Sequence, residues 1–132
     1  MPGADLRQPK IRMAMMPRDT NVHGTIFGGV ILSQIDQAGA IACRACGVAR
    51  VVTVSMKEVV FREPVYVGDV VSFYAEVVKV GTTSMTVKVV VEAERLRTPG
   101  PPVLVTDAEV VYVAVDEGGK KSPVPRASAQ GR

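Results

Sequence analysis

The sequence predicts a single α+β domain in which one long helix lies against a five-stranded antiparallel sheet. Three observations predict it. Phe27–Cys46 is the one stretch that is apolar over several helical turns without period-two alternation. Everything after Arg50 is rich in Val and Thr and is cut by turn signals at Gly68-Asp69, Gly81-Thr82-Thr83 and Thr98-Pro99-Gly100-Pro101-Pro102. Hydrophobic residues make up 47% of the 132, and charged residues 22%, which is enough apolar material for one core.

Residues 1–8 read as a loose arm, residues 9–117 as the domain, and residues 118–132 as a Pro-, Ser- and Gly-rich tail expected to be mobile. Lys10–Met16 alternates and predicts the first strand, and Pro17–Asn21 a loop. Phe27–Cys46 predicts the helix, about 28 Å long at roughly 1.5 Å per residue. Gly47 stands just past its end, where glycine stops a helix. Val51–Arg62 predicts a bulged or bent strand, and Glu63–Asp69 a short connection. Val70–Val80 and Ser84–Leu96 predict two strands joined by the tight turn at 81–83. In the second of these, Met85, Val87, Val89, Val91 and Ala93 alternate with Thr86, Lys88, Val90, Glu92 and Glu94, which assigns the first set to one face. Val103–Val115 predicts the last strand. A helix that is apolar on nearly all sides calls for burial on more than one, and a sheet curled around it supplies that.

The formal net charge of +3 and the pI near 9.1 come from scattered Lys and Arg, not from a basic stripe. That pattern argues against a nucleic-acid partner and suits a polyanionic small molecule. Cys43 and Cys46 form a C-x-x-C, but with one histidine and no second cysteine pair they do not complete a zinc site. They read as small buried thiols in a reducing cytoplasm, with no metal expected. The opening residues lack the apolar core of a secretion signal, and no apolar run reaches the ~18 residues of a membrane span. The expected location is cytoplasmic.

Asp36 is the only acidic residue between Asp19 and Glu58, and no cation follows it until Arg44. A carboxylate in an apolar helix costs stability unless it is paired, hydrated or used, so it is the first candidate for chemistry. Its neighbours one turn away, Leu32, Ser33, Gly39 and Ala40, are mostly small, which calls for close packing or a narrow channel there. Gly28 and Gly29 open the helix, where N–H groups have no intrahelical acceptor and carry partial positive charge. Asn21 lies in the preceding loop, where an amide either shapes a turn or meets a reactant.

Further ordered motifs accompany Asp19-Thr20-Asn21-x-x-Gly24-x-Ile26-Phe27-Gly28-Gly29-x-x-x-Ser33-Gln34-x-Asp36. They are Arg50-Val51-Val52-Thr53-Val54, Phe61-x-x-Pro64-Val65-x-Val67-Gly68-Asp69-Val70-Val71, Gly81-Thr82-Thr83-Ser84 and Tyr112-Val113-Ala114-Val115-Asp116. Over roughly residues 10–125 the chain resembles the hotdog-fold acyl-CoA thioester hydrolase family, in the branch of the bacterial short-chain thioesterases and brain-type acyl-CoA hydrolases. The resemblance implies hydrolysis of fatty acyl-CoA to free acid and coenzyme A. It implies Asp36 as general base or nucleophile, Asn21 orienting the water or carbonyl, and a backbone N–H of Gly28 or Gly29 polarising the thioester. It also implies coenzyme A contacts at Val52, Thr53, Lys79, Gly81, Thr82, Thr83 and Ser84. No cofactor is implied beyond the coenzyme A of the substrate. A homodimer with Asn21 facing the partner's carboxylate is implied as well, in a trimer of dimers. His23 receives no role; Phe27 stands where many hotdog hydrolases carry a histidine before the glycine pair.

Two other functions fit such a fold. One is a non-catalytic acyl-CoA-binding regulator, disfavoured by the presence of both Asn21 and Asp36. The other is an acyl-thioester hydratase or dehydratase, which usually needs a histidine with an acid; His23 is poorly placed for that.

Overall fold

A computed structural model describes residues 8–125. Five strands, one α-helix and a short 3-10 helix (Pro17–Asp19) are described; in chain order the strands and α-helix are β1 (Ile11–Ala14), α1 (Gly28–Ala45), β2 (Val51–Lys57), β3 (Val70–Val80), β4 (Ser84–Glu94) and β5 (Val103–Ala114). The strands form one antiparallel sheet in the order β1-β3-β4-β5-β2. The helix packs on one face of the curled sheet, as the sequence predicts. None of the helices described is long and apolar enough to cross a membrane.

The alternation in β4 sorts as expected: Met85, Val87, Val89, Val91 and Ala93 are fully buried. The antiparallel register sets Val71, Phe73, Ala75 and Val77 of β3 beside them on the same face, with Ala108, Val110 and Tyr112 of β5 on the other side. The helix meets this face with Ile31, Ile35, Ala38, Gly39, Ala42 and Cys43, a stripe at three- and four-residue spacing. Its opposite side, with Ser33, Gln37, Ile41 and Arg44, is open in the single chain. One helix therefore covers one face only. The burial on several sides that its composition demands is not met within one chain.

The helix ends as predicted. Gly47 has φ +92°, its N–H donates to the Arg44 carbonyl, and the Val48 N–H donates to the Cys43 carbonyl. This is a Schellman stop.

The main difference from expectation lies between β2 and β3. β2 ends at Lys57, because Glu58 turns the chain at φ +58°. β2 pairs with β5 at one edge, while β3 lies three strands away, about 14 Å at ~4.8 Å per strand. Residues 58–69 are therefore not a short connection but a strap that crosses the sheet near the start of α1. The Ile26 N–H donates to the Val65 carbonyl at 2.7 Å, and the Gly68 N–H to the Met15 carbonyl at 2.9 Å. The expected bulge in β2 is present, between Thr53 and Ser55.

The expected tail also begins too early. Val115 pairs with Lys121, the Val124 N–H donates to the Thr82 carbonyl, and Val124 is buried. Residues 118–125 are thus tied to the sheet. Residues 1–7 of the expected arm and 126–132 of the expected tail lie outside the described residues.

Candidate active site

Asp36 points to the partly open flank of α1 beside β2. The Thr53 hydroxyl donates to its Oδ1 at 2.6 Å, and Oδ2 accepts no hydrogen bond among the described residues. The small residues around Asp36 do mark close packing, and the structure identifies what packs there. The Tyr112 side chain lies against Gly39, whose missing Cβ leaves room for the ring, and its hydroxyl donates to the Asp36 main-chain carbonyl at 2.7 Å. Burial, then the nearby Asp36 charge, push the Tyr112 phenol well above its ordinary range. The hydroxyl thus remains a proton donor at all ordinary pH values.

Thr53 and Tyr112 face each other in the β2–β5 register. One rung of the sheet therefore holds Asp36 twice, Thr53 by the carboxylate and Tyr112 by the carbonyl. The resemblance implies a coenzyme A contact for Thr53; in the single chain its hydroxyl is bonded to the carboxylate. Tyr112 was missed as a site residue. The chain separates it from Asp36 by 76 residues, and only the register reveals the pairing.

The other residues expected at the site, Gly28 and Gly29, stand at the start of α1. Phe27 caps the helix without a side-chain hydrogen bond. The N–H groups of Gly28 and Gly29 are the first two of the helix and have no acceptor within it. The Phe27 ring lies over Gly29, within 2.8 Å of where a Cβ would stand, so a larger residue there would displace it. A cleft of about 200 Å3 opens beside Gly28, walled by Ile26, Ile31, Phe61, Pro64 and Val65. Gly28 and Asp36 are eight residues apart, about 12 Å along the axis at ~1.5 Å per residue. Within one chain the two groups therefore stand more than two helical turns apart.

Asn21 is a turn former in this chain. Its Oδ1 accepts from the N–H groups of His23 and Thr25 at 2.8 and 3.2 Å, and its Nδ2 donates to the Thr25 hydroxyl at 2.9 Å. These bonds shape the loop that leads to the helix start, closed by the Thr20–Ile26 bridge. Asn21 and Asp36 share no hydrogen bond among the described residues.

Of the residues expected at coenzyme A, Val52 and Ser84 both pair with Val113, one on each side, and so share the outer face of the sheet. The turn 81–84 is closed by the Gly81 N–H donating to the Ser84 carbonyl, and its Thr82 and Thr83 carbonyls accept from Val124 and Ala114. Lys79 is exposed beside the irregularity in β3. The structure gathers these groups at one end of the sheet. Thr53 occupies the inner face of the same end.

A larger cleft, about 510 Å3, is lined by Gly24, Tyr66, Asp69, Arg95 and Arg97. Its charges are largely satisfied internally. Arg95 bonds buried Asp69 at 2.6 Å, lies 3.7 Å from Glu63 and stands 5.1 Å over the Tyr66 ring. This network fixes the end of the strap and is not near Asp36 in the fold. Cys43 is buried and its thiol is pushed up to about 12, mainly by burial, so it is inert; Cys46 is half-buried and both are free. Among the described residues no three His, Cys, Asp or Glu side chains converge as a metal would require.

Comparison with known proteins bears on the fold and the family. A family model described as the thioesterase superfamily matches residues 23–99. The chain is 44% identical over 117 residues to the acyl-CoA thioester hydrolase YciA of Salmonella typhimurium, spanning 87% of this chain and 88% of that protein. The structure resembles a hexameric hotdog fold thioesterase of Campylobacter jejuni, with a TM-score of 0.86, 51% identity and coverage of 92% and 93%. It also resembles a hexameric, broad-specificity acyl-coenzyme A thioesterase solved as an aspartate-to-alanine mutant enzyme. There the TM-score is 0.87 with 40% identity, over 92% of this chain and 89% of that one.

Proposed function

Because the chain belongs to the thioesterase superfamily, we infer that it is an acyl-CoA thioester hydrolase of the hotdog fold that works with Asp36 as its reactive carboxylate. The observation that carries the assignment of Asp36 is its asymmetric setting. Thr53 holds Oδ1, while Oδ2 is left free to take a proton or to attack. As general base, Oδ2 removes a proton from water and the hydroxide adds to the thioester carbonyl. As nucleophile, Oδ2 adds directly and the resulting anhydride is hydrolysed. In either case negative charge develops on the carbonyl oxygen, and collapse expels the coenzyme A thiolate, which then takes up a proton.

The oxyanion meets the free N–H of Gly28 or Gly29, a contact worth roughly 3–4 kcal/mol of barrier. The ~12 Å of helix axis between Gly28 and Asp36 of the same chain supports drawing the two from different protomers. The site is then composite. One subunit supplies Asp36 and Thr53. Its partner supplies Asn21 and the helix start, with Asn21 Nδ2, whose second proton has no acceptor in its own loop, turned toward the water or carbonyl.

Two features support a dimer. Among the described residues β2 is an edge strand flanked only by β5, and Val52 and Val54 on it are 49% and 59% exposed. Similar thioesterases are hexameric, and a trimer of such dimers accounts for that number. Coenzyme A lies across the end of the sheet near Val52, Lys79 and the turn 81–84, and no further cofactor takes part. A coenzyme A ester as substrate implies the cytoplasm. The test is thiol release from butyryl- and palmitoyl-CoA by Asp36→Ala. Loss of turnover with an unchanged melting temperature is expected. Turnover equal to the unmodified enzyme rules out Asp36 as the reactive group.

A further inference from the structure

The motif Phe61-x-x-Pro64-Val65 is absorbed neither by the carboxylate nor by the helix start, yet the fold goes to some length to hold it. The residues on either side of Phe61 are both anchored to β5. The Thr106 hydroxyl donates to the Val60 carbonyl at 2.7 Å, and the Arg62 N–H donates to the Val105 carbonyl at 2.8 Å. Arg62 is also paired with Asp107 at 3.5 Å. Phe61, fixed between them, remains 43% exposed, and its ring edge stands 3.7 Å from the site of a Cβ on Gly28. In the single chain an exposed aromatic ring is thus held beside the glycine whose N–H would bind a thioester oxygen.

The cleft it closes is apolar in effect. Its two polar linings are engaged elsewhere: the Thr25 hydroxyl accepts from Asn21, and the Glu63 carboxylate is turned toward Arg95. The remaining walls are Ile26, Ile31, Pro64 and Val65. We propose that this cleft receives the first carbons of the acyl chain and that Phe61 sets how strongly they are held. The proposal rests on the thioester carbonyl lying at Gly28 or Gly29, as inferred above. The cleft's volume of about 200 Å3, at ~30 Å3 per small heavy group, accepts about six carbons. Carbons beyond that number extend past its walls. Length is therefore read only over the first six carbons, and longer esters are accepted without further gain.

The experiment is calorimetric binding of the non-hydrolysable thioethers S-ethyl-, S-butyl-, S-hexyl- and S-dodecyl-CoA, alongside thiol release from the matching acyl-CoA esters. Each methylene up to hexyl should tighten Kd by about two- to fourfold, from ~0.8 kcal/mol per fully buried methylene. Dodecyl should bind within about threefold of hexyl, since the added methylenes remain in water. Phe61→Ala should reduce the ethyl-to-hexyl ratio at least fivefold or so, and Phe61→Leu, which keeps an apolar wall, should lie between. A gain continuing as steeply from hexyl to dodecyl overturns the proposal. So does an ethyl-to-hexyl ratio unchanged in both variants. Thiol release separates this from the assignment of activity. Length-dependent binding without any hydrolysis removes the activity and keeps the cleft; hydrolysis with length-independent binding does the reverse.

Discussion

Replacing Gly39 with alanine sets two effects against each other, and the structure decides the sign. In an isolated helix the change adds about 1 kcal/mol of stability. Here a Cβ on Gly39 overlaps the Tyr112 hydroxyl and comes within 2.7 and 2.8 Å of its ring carbons Cζ and Cε1. Tyr112 is buried at 1% exposure and is clamped by β4 and β2 on either side, so the ring has no free direction in which to yield. Overpacking of that kind costs about 1–3 kcal/mol. Loss of the hydroxyl's bond to the Asp36 carbonyl adds about 1 kcal/mol more. After the helix gain is subtracted, the net loss is about 1–3 kcal/mol, which for this chain length lowers Tm by roughly 3–10 °C. Thermal and urea unfolding of Gly39→Ala measure it. A double-mutant cycle with Tyr112→Leu localises it, because the alanine should be much better tolerated once the ring is gone. An alanine variant more stable than the parent would show that the ring is not where the structure has it. The variant should also lose turnover, because the displaced ring disturbs the helical turn that carries Asp36.

Thr53→Val removes the hydroxyl that holds Oδ1. A hydrogen bond to a charged group, worth about 1.5–3 kcal/mol, corresponds to a fall in kcat of roughly ten- to 150-fold, read by thiol release; a fall of less than twofold removes Thr53 from the site. Folding raises the Cys43 thiol from 9.0 to about 12 and raises Tyr112 as well. The unfolded chain therefore loses these protons first, and stability is complete below about pH 9 and declines as pH rises toward 12. Cys43→Ala should flatten that decline in a pH series of urea melts, and an equally steep decline would contradict the burial of the thiol. Arg95→Met leaves Asp69, 2% exposed, without its guanidinium. A cost of about 3–5 kcal/mol in urea unfolding is expected, and a neutral substitution would show that the pair does not fix the strap.

The elements legible in the sequence are those set by local periodicity or local backbone chemistry. Alternation from Met85 to Ala93 identified a core face, and Gly47 identified the helix stop. The small residues around Asp36 signalled close packing, but not that Tyr112 supplies it. That contact depends on β5 lying beside β2, a long-range pairing that no local pattern encodes. The same pairing hid the strap, since residues 63–69 look like a turn when β2 and β3 are taken as neighbours. Thr53 is instructive in another way. Period-two alternation separates it from Val52, so the two face opposite sides of the sheet. Which of them meets the helix follows only from the register with Val113 and Tyr112. Asn21 shows the converse case: its turn-forming role, visible in the sequence, is the one the single chain displays.

The most direct test of a site shared between subunits is complementation. Asp36→Ala and Asn21→Ala subunits, each inactive alone, are unfolded, mixed in equal amounts and reassembled. Random pairing makes half the dimers mixed, each with one intact site, so thiol release should recover to roughly a quarter of the unmodified enzyme. Reassembled mixtures with no more activity than either variant alone would contradict the division of the site between two chains.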